Sequence, residues 1–306
     1  MVDSARTLAL PVMRKLLRRP SKTIVRTLAE LDAKIAECDA AEAVSDDAMR
    51  AVFHSFEMQP PADLPADPFS PQYASRQMEL YRMVAGKDYA PANEVTSFDV
   101  EAAIQSGFPW QTQSCATAGE YFGGISSLLK SMDVAPGSRI VEFGPGWGHT
   151  TEMLAKLGHH VTAIDIEERF CELIRKKTAA LQTPVEVIHG DFLSIEASNA
   201  QWDAAVFFEC FHHCADHLRL LRALHKVIAP GGAIYFAAEP IEPTFPSPWG
   251  LRLDGNSLWA IRKQGWLELG FRRDYFEQAL RKSGFEPSVR DYGKGGWNRV
   301  WVGLRR

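Results

Sequence analysis

Acids, histidines and cysteines crowd one short stretch of the chain. Glu209, Cys210, His212, His213 and Cys214 all fall within "FFECFHHC", and Glu239 follows in "IYFAAEP". A histidine or carboxylate held against a hydroxyl can draw off its proton and turn it into a nucleophile. His213 or His212 is the first candidate for such a general base, with Glu239 second. The cysteine and histidine side chains also invite a zinc reading, but the ligands of a tetrahedral zinc site usually come in separated pairs. A magnesium ion on Glu209, Glu239 and a histidine or Asp216 is chemically reasonable, yet magnesium favours oxygen ligands. No metal is assigned.

A second cluster is built for close approach rather than for proton transfer. "VEFGPGWGHTT", Val141 to Thr151, sets Gly144, Gly146 and Gly148 at alternate positions directly after Glu142. Glycines between a strand and a helix let backbone come up against a ligand, because no Cβ intervenes. Asp165 closes the next β-rich run, "VTAID", about 20 residues on, where an acid can accept both ribose hydroxyls of a nucleoside. Asp191 closes a third run, "VEVIHGD", with Phe192 after it.

The spacing E-x-G-x-G-x-G differs from the nicotinamide fingerprint G-x-G-x-x-G. From Ile140 to Glu239 the series resembles the class I S-adenosylmethionine-dependent methyltransferases in order, spacing and residue type. The resemblance implies S-adenosyl-L-methionine as cofactor. Glu142, Gly144, Gly146, Trp147 and Gly148 would form the glycine turn against it, with Asp165 and Ile166 at the ribose. Asp191 would accept from the adenine amino group, Phe192 would pack on the ring, and Glu209 would line the methionine part. In that family a histidine pair after the fourth strand also serves to shape the pocket, so shaping and catalysis both stay open for His212 and His213. "PWQTQSCATAGEYFGGI" and "WGLRLDGNSLWAIRKQGWLELGF" further resemble a bacterial methyltransferase group associated with glycan assembly. Segments before the first strand fold over the cofactor there, which would bring Gln113 and Tyr121 to its methionine end. O-methylation of a sugar hydroxyl on a saccharide or surface glycan is the implied reaction. The alternatives are a small-molecule acceptor (natural product, phenol or carboxylate) and a non-catalytic binding module.

Positioning these residues takes strands that alternate with helices. "SRIVEF", "HVTAID", "VEVIHGD", "WDAAVFFE" and "AIYFAAE" read as strands, with helices at 150–157, 168–180 and 215–228 between them. That alternation implies right-handed crossovers in a doubly wound, Rossmann-like α/β fold, its sheet mostly parallel and of about seven strands. After a helix near 273–283, "FEPSVRDY" and "NRVWVGLRR" would pair antiparallel at the sheet edge.

Two stretches stand outside this pattern. Residues 1–105 read as a helical N-terminal region, basic at first (Arg14, Lys15, Arg18, Arg19) and then acidic (Asp32, Asp39, Glu42). Leu16, Leu17, Ile24, Val25, Leu28, Leu31 and Ile35 recur at helical spacing. That region would cap the body or a second subunit, giving a possible homodimer, or rest its basic helix on an anionic membrane surface. "QPPADLPADPFSP", 59–71, is a linker or an extended crossing over the surface. Residues 106–306 would form the methyltransferase domain, with an aromatic insertion at 240–271 that carries Trp249, Trp259 and Trp266. An insertion of that length is more often functional than decorative, though several of its tryptophans suit a satellite core.

Composition closes off other classes. The chain of 306 residues is 46% hydrophobic and 24% charged, with a net charge of −4. Its cations are not gathered over the body and no D/N-P-P-Y motif follows the fourth strand, so nucleic acid is not an expected partner. No apolar run reaches the roughly 20 residues of a membrane span. The 5 cysteines are odd in number and mostly scattered, which suits reduced thiols and a cytoplasmic setting.

Overall fold

The computed structural model describes residues 22–181, 185–293 and 296–306. The basic opening up to residue 21 lies outside them, and with it the membrane-contact reading of that segment.

A single sheet organises the body. Its strands in chain order are β1 (Arg139–Phe143), β2 (His160–Asp165), β3 (Val185–His189), β4 (Trp202–Phe208), β5 (Ile228–Ala237), β6 (Phe285–Asp291) and β7 (Arg299–Arg305). They lie side by side as β3-β2-β1-β4-β5-β7-β6. The first five run parallel, whereas β7 is antiparallel to both β5 and β6, so the expected edge hairpin forms. Parallel strands covered on both faces read as continuous apolar runs, and "IVEF" and "AAVFF" do so. Phe143, Phe207 and Phe236 stack across β1, β4 and β5, with ring centroids 4.8 and 5.2 Å apart. All three are fully buried.

Helices return three of the four crossovers, and a short 3-10 turn, Phe192–Ala197, serves the one between β3 and β4. His149–Lys156, Glu168–Thr178 and His217–Val227 link the parallel strands, close to the sequence expectation. Asp216 caps the last of these, accepting from the Arg219 N–H at 3.1 Å. Strand order reverses between β1 and β4, each of which leads away from the other. In such sheets ligands bind beyond the carboxyl ends at this switch point.

The N-terminal region is richer than its periodicity suggests. Helices Leu28–Glu42, Asp46–Phe53 and Pro71–Ala85 start on side-chain caps from Thr27, Ser45 and Ser70. Ile24 and Val25, expected on a helix, instead lie in a short strand, Thr23–Val25, parallel to Phe56–Met58. Two β-branched residues suit an extended backbone better than a helical one.

The Pro-rich stretch crosses the surface and is anchored there. The Pro68 carbonyl accepts from Trp249 Nε1 at 2.8 Å, and Tyr73 Oη donates to the Trp249 carbonyl at 2.8 Å. Trp249 belongs to a three-stranded sheet within the insertion, built from Ile241–Glu242, Trp249–Leu251 and Leu269–Arg272. The acidic stretch of the sequence finds its partners on the insertion too: Asp32 pairs with Arg262, and Asp39 and Glu42 with Lys263. Partly exposed pairs add little stability each; the apolar packing of Tyr73, Trp249 and Tyr275 is what joins the two regions.

Candidate active site

Each of the three glycines has its own reason to be glycine. Gly144, Gly146 and Gly148 all take left-handed backbone, at φ +54°, +51° and +76°. A Cβ on Gly144 would stand 2.8 Å from Cys210 Cβ, and one on Gly148 would stand 2.8 Å from Ile174 Cγ1. These two permit close packing of the turn. A Cβ on Gly146 would meet open space, and that space is a cleft of about 560 Å³.

Asp165 is held upright at the edge of this cleft. Its Oδ2 accepts from the Gly146 N–H at 3.0 Å and its Oδ1 from the Glu167 N–H at 2.8 Å. Each oxygen keeps a further lone pair for a ligand. Burial pushes the Asp165 carboxyl up to about 6, against the pull of those two N–H groups. Trp147, Ile166, Asp191 and Phe192 also line the cleft. Asp191 Oδ1 caps the turn that follows it, accepting from the Ser194 N–H at 2.9 Å.

Glu142 is placed differently from the expectation. It is 1% exposed, accepts from Thr151 Oγ1 at 2.6 Å and is absent from the cleft wall. The carboxyl braces the helix that follows the glycine turn, and burial pushes it up to about 7. Gln113 and Tyr121 do not reach the wall either. Gln113 closes the turn Trp110–Thr112 in left-handed backbone, and Tyr121 Oη lies 3.2 Å from His149 Nδ1 within an aromatic group that includes Phe208 and Trp297. The segment that does line the cleft comes earlier in the chain: Tyr89, Pro91, Glu94 and Thr96. Nothing local marks these four, since they reach the cleft only through packing of the whole N-terminal region.

The strand ends on the far side carry the other polar groups. Glu209 lines the cleft at φ +53°, and burial, then Glu239 and Glu268, push its carboxyl up to about 8. His213 lines the cleft as well, whereas His212 and Glu239 stand behind it. Glu239 is fully engaged. It accepts from the Cys210 and Phe211 N–H groups at 2.8 Å each, and from the His212 N–H at 3.2 Å and His212 Nδ1 at 2.7 Å. Burial acts to raise this carboxyl, but His212 and the N–H groups outweigh it and hold Glu239 below the usual carboxylate range. A buried carboxylate with four donors positions the histidine loop; it does not take a proton from a substrate.

Neither the zinc nor the magnesium grouping weighed from the sequence is the set of ligands that meets among the described residues. Cys210 Sγ donates to the Phe143 carbonyl at 3.0 Å, away from any tetrahedral set with Cys214, and Glu239 has no lone pair free for magnesium. What meets instead is His212, His213 and Glu268, the last being a residue that sequence reasoning missed. Glu94 was missed too, whereas Trp266 was among the insertion's aromatic candidates. Trp266 lines the cleft, and its buried Nε1–H has no hydrogen-bond partner among the described residues. Glu94 Oε1 accepts from the Leu267 N–H at 2.8 Å, and burial pushes this carboxyl up to about 7.

Among solved structures the chain is similar to an S-adenosylmethionine-dependent methyltransferase from Mesorhizobium loti, at 20% identity and TM-score 0.49 over 60% of this chain and 98% of that one. It is similar also to the N-methyltransferase NodS of Bradyrhizobium japonicum in complex with S-adenosyl-l-homocysteine, at 16% identity and TM-score 0.46 over 67% and 95%. Demethylmenaquinone methyltransferase of Staphylococcus epidermidis is 27% identical over 122 residues, 39% of this chain and 50% of the relative. The chain thus spans half the length of that relative. Residues 141–236 match the family described as "Methyltransferase domain", a span that holds the glycine turn, both strand-end acids and the histidine pair. Residues 141–236 form a methyltransferase domain within a Rossmann-like sheet, a kind of domain that works with S-adenosyl-L-methionine.

Proposed function

We propose that this protein transfers a methyl group from S-adenosyl-L-methionine to a hydroxyl of a saccharide or surface glycan. The observation that carries the cofactor half of this reading is the charge of the cleft. Glu94, Asp165, Glu167, Asp191, Glu209 and Asp216 line it, and no Lys or Arg among the described residues does. An acidic wall suits a sulfonium cation, whereas a dinucleotide would bring a pyrophosphate with nothing to neutralise it.

The same wall supports an uncharged acceptor. Carboxylate or phosphorylated acceptors would meet like charge, which costs binding energy, while neutral hydroxyls can donate to Glu94 and accept from the orphaned Trp266 N–H. Aromatic faces beside polar groups suit sugar rings. An acceptor hydroxyl would be activated at the His213 edge. There the oxygen–methyl bond forms as the methyl–sulfur bond breaks, the bonding pair stays on sulfur, and the hydroxyl proton is drawn off. A neutral phenol stacked on Trp266 is the second reading. We place the domain itself at 106–306, served by the N-terminal region.

The test incubates purified protein and methyl-labelled cofactor with a bacterial extract fractionated into lipids, polysaccharide and small molecules. Label in saccharide is the expected result. Label confined to small aromatic compounds selects the phenol reading. A protein that binds no adenosylmethionine by calorimetry is a binding module, not a transferase.

A further inference from the structure

Two imidazoles and a carboxylate converge behind the His213 wall, each oriented by a partner on its far side. His212 is 4% exposed. Its Nδ1 faces a Glu239 oxygen at 2.7 Å, so the proton belongs on Nδ1 and the lone pair on Nε2. That Nε2 stands 3.8 Å from Glu268 Oε2. The gap is too long for a hydrogen bond, yet it suits two ligand atoms that each sit about 2.0–2.2 Å from one ion. His213 is arranged alike: its Nδ1 donates to the Leu267 carbonyl at 2.7 Å, which leaves Nε2 as its ligand nitrogen. Glu268 is steadied by Arg252, whose guanidinium donates to it at 3.2 Å. One ligand atom from each of His212, His213 and Glu268 falls within 4.8 Å of the others. A carboxylate or carbonyl on the far nitrogen is the outer-shell pattern that fixes metal-binding histidines.

We propose that His212, His213 and Glu268 bind a divalent transition-metal ion through the two Nε2 atoms and a carboxylate oxygen, with a position open toward the cleft. Two imidazoles and one carboxylate suit zinc, manganese or iron(II) better than magnesium. The ion also adds positive charge beside Glu239 and Glu268, the two carboxylates that face His212. His213 is part of the cleft wall, which sets the proposed ion beside the cleft. This inference rests on the methyl-transfer reading and deepens it. The acceptor hydroxyl binds the ion and releases its proton to water in the cleft. Its oxygen then bonds the methyl carbon as the carbon–sulfur bond breaks and sulfur keeps the pair.

The test uses the full chain, stripped by chelator and titrated with Co²⁺ alone. The visible absorption of bound cobalt and the calorimetric affinity for adenosylmethionine are read separately. Expected are one equivalent of cobalt in the parent protein and at least a ~100-fold weaker site in both His212→Ala and Glu268→Gln. Adenosylmethionine affinity in Glu268→Gln should stay within about 3-fold, which shows that the variant is folded. Absence of stoichiometric cobalt in a protein that binds adenosylmethionine overturns the ion site and leaves the methyl-transfer reading standing, with His213 itself as the base. Wild-type cobalt affinity in Glu268→Gln also overturns it. A parent protein that binds cobalt but no adenosylmethionine counts against the methyl-transfer reading instead.

Discussion

The two sides of the cleft, to which we assign cofactor and acceptor, are built on different plans. On the cofactor side, Gly146, Asp165, Asp191 and Phe192 sit at the ends of adjacent parallel strands, each placed by its own strand–helix turn. On the acceptor side, Tyr89, Glu94, His213 and Trp266 come from three separate stretches of chain and meet through tertiary packing. The contrast teaches that the nucleoside pocket follows from the sheet, whereas the acceptor pocket follows from how the N-terminal region and the insertion dock. A change on one side should therefore leave the other side's binding intact.

The sharpest break is Asp165→Ala. Losing two charge-assisted hydrogen bonds of about 1.5–3 kcal/mol each should weaken adenosylmethionine by at least ~100-fold in calorimetry, with no route for the acceptor side to compensate. If affinity falls less than about 10-fold, the ribose is held elsewhere. His213→Ala should do the opposite, cutting turnover by roughly 100-fold while cofactor affinity stays near normal. Equal turnover would remove His213 from the chemistry.

A smaller effect is expected from Trp266→Phe, which keeps the flat face and deletes the unpartnered N–H. One hydrogen bond of about 1 kcal/mol predicts an acceptor KM raised roughly 5-fold, with the cofactor Kd unchanged. Should both constants move together, the two sides are not independent.

The mildest test is pH. Burial raises Asp165 to about 6 and Glu209 to about 8 in the unliganded cleft. A sulfonium and ribose hydroxyls favour the ionised forms, so cofactor affinity should weaken a few-fold as pH falls from about 8 to about 6, and binding should release protons. Stability of the unliganded protein runs the other way. Carboxyls raised above their unfolded values bind more protons when folded, so their contribution worsens as pH rises through that window. A melting temperature from these groups that climbs between pH 6 and 8 would contradict the assignment, and Glu209→Gln should flatten the trend.

The difference in construction also explains what was legible in the sequence. Gly144, Gly146, Gly148, Asp165 and Asp191 announce themselves because turn chemistry and strand length fix their spacing. All five parallel strands and the closing antiparallel pair were readable for the same reason. Glu142 and Glu239 show the limit of that logic, since an acid at a strand end serves equally as a buried brace, and only the donors around it decide. Gln113 and Tyr121 stand outside the lining of the cleft, which takes Tyr89, Pro91, Glu94 and Thr96 from the earlier segment instead. Glu268 carries no local signal, standing in an ordinary run, "GWLELGF", until folding brings it to His212. Part of the insertion's aromatic set proved to be core: Trp249 and Phe271 are buried, and of the three tryptophans at 249, 259 and 266 only Trp266 lines the cleft.

The clasp of Pro68 and Tyr73 on Trp249 bears on attempts to retarget such a catalyst. Grafting the insertion alone onto another scaffold would strand its apolar underside in water, while trimming the N-terminal helices would unroof the native one. A working chimera must exchange both stretches as a matched pair, so acceptor preference in this architecture is inherited in two distant pieces that are of use only together.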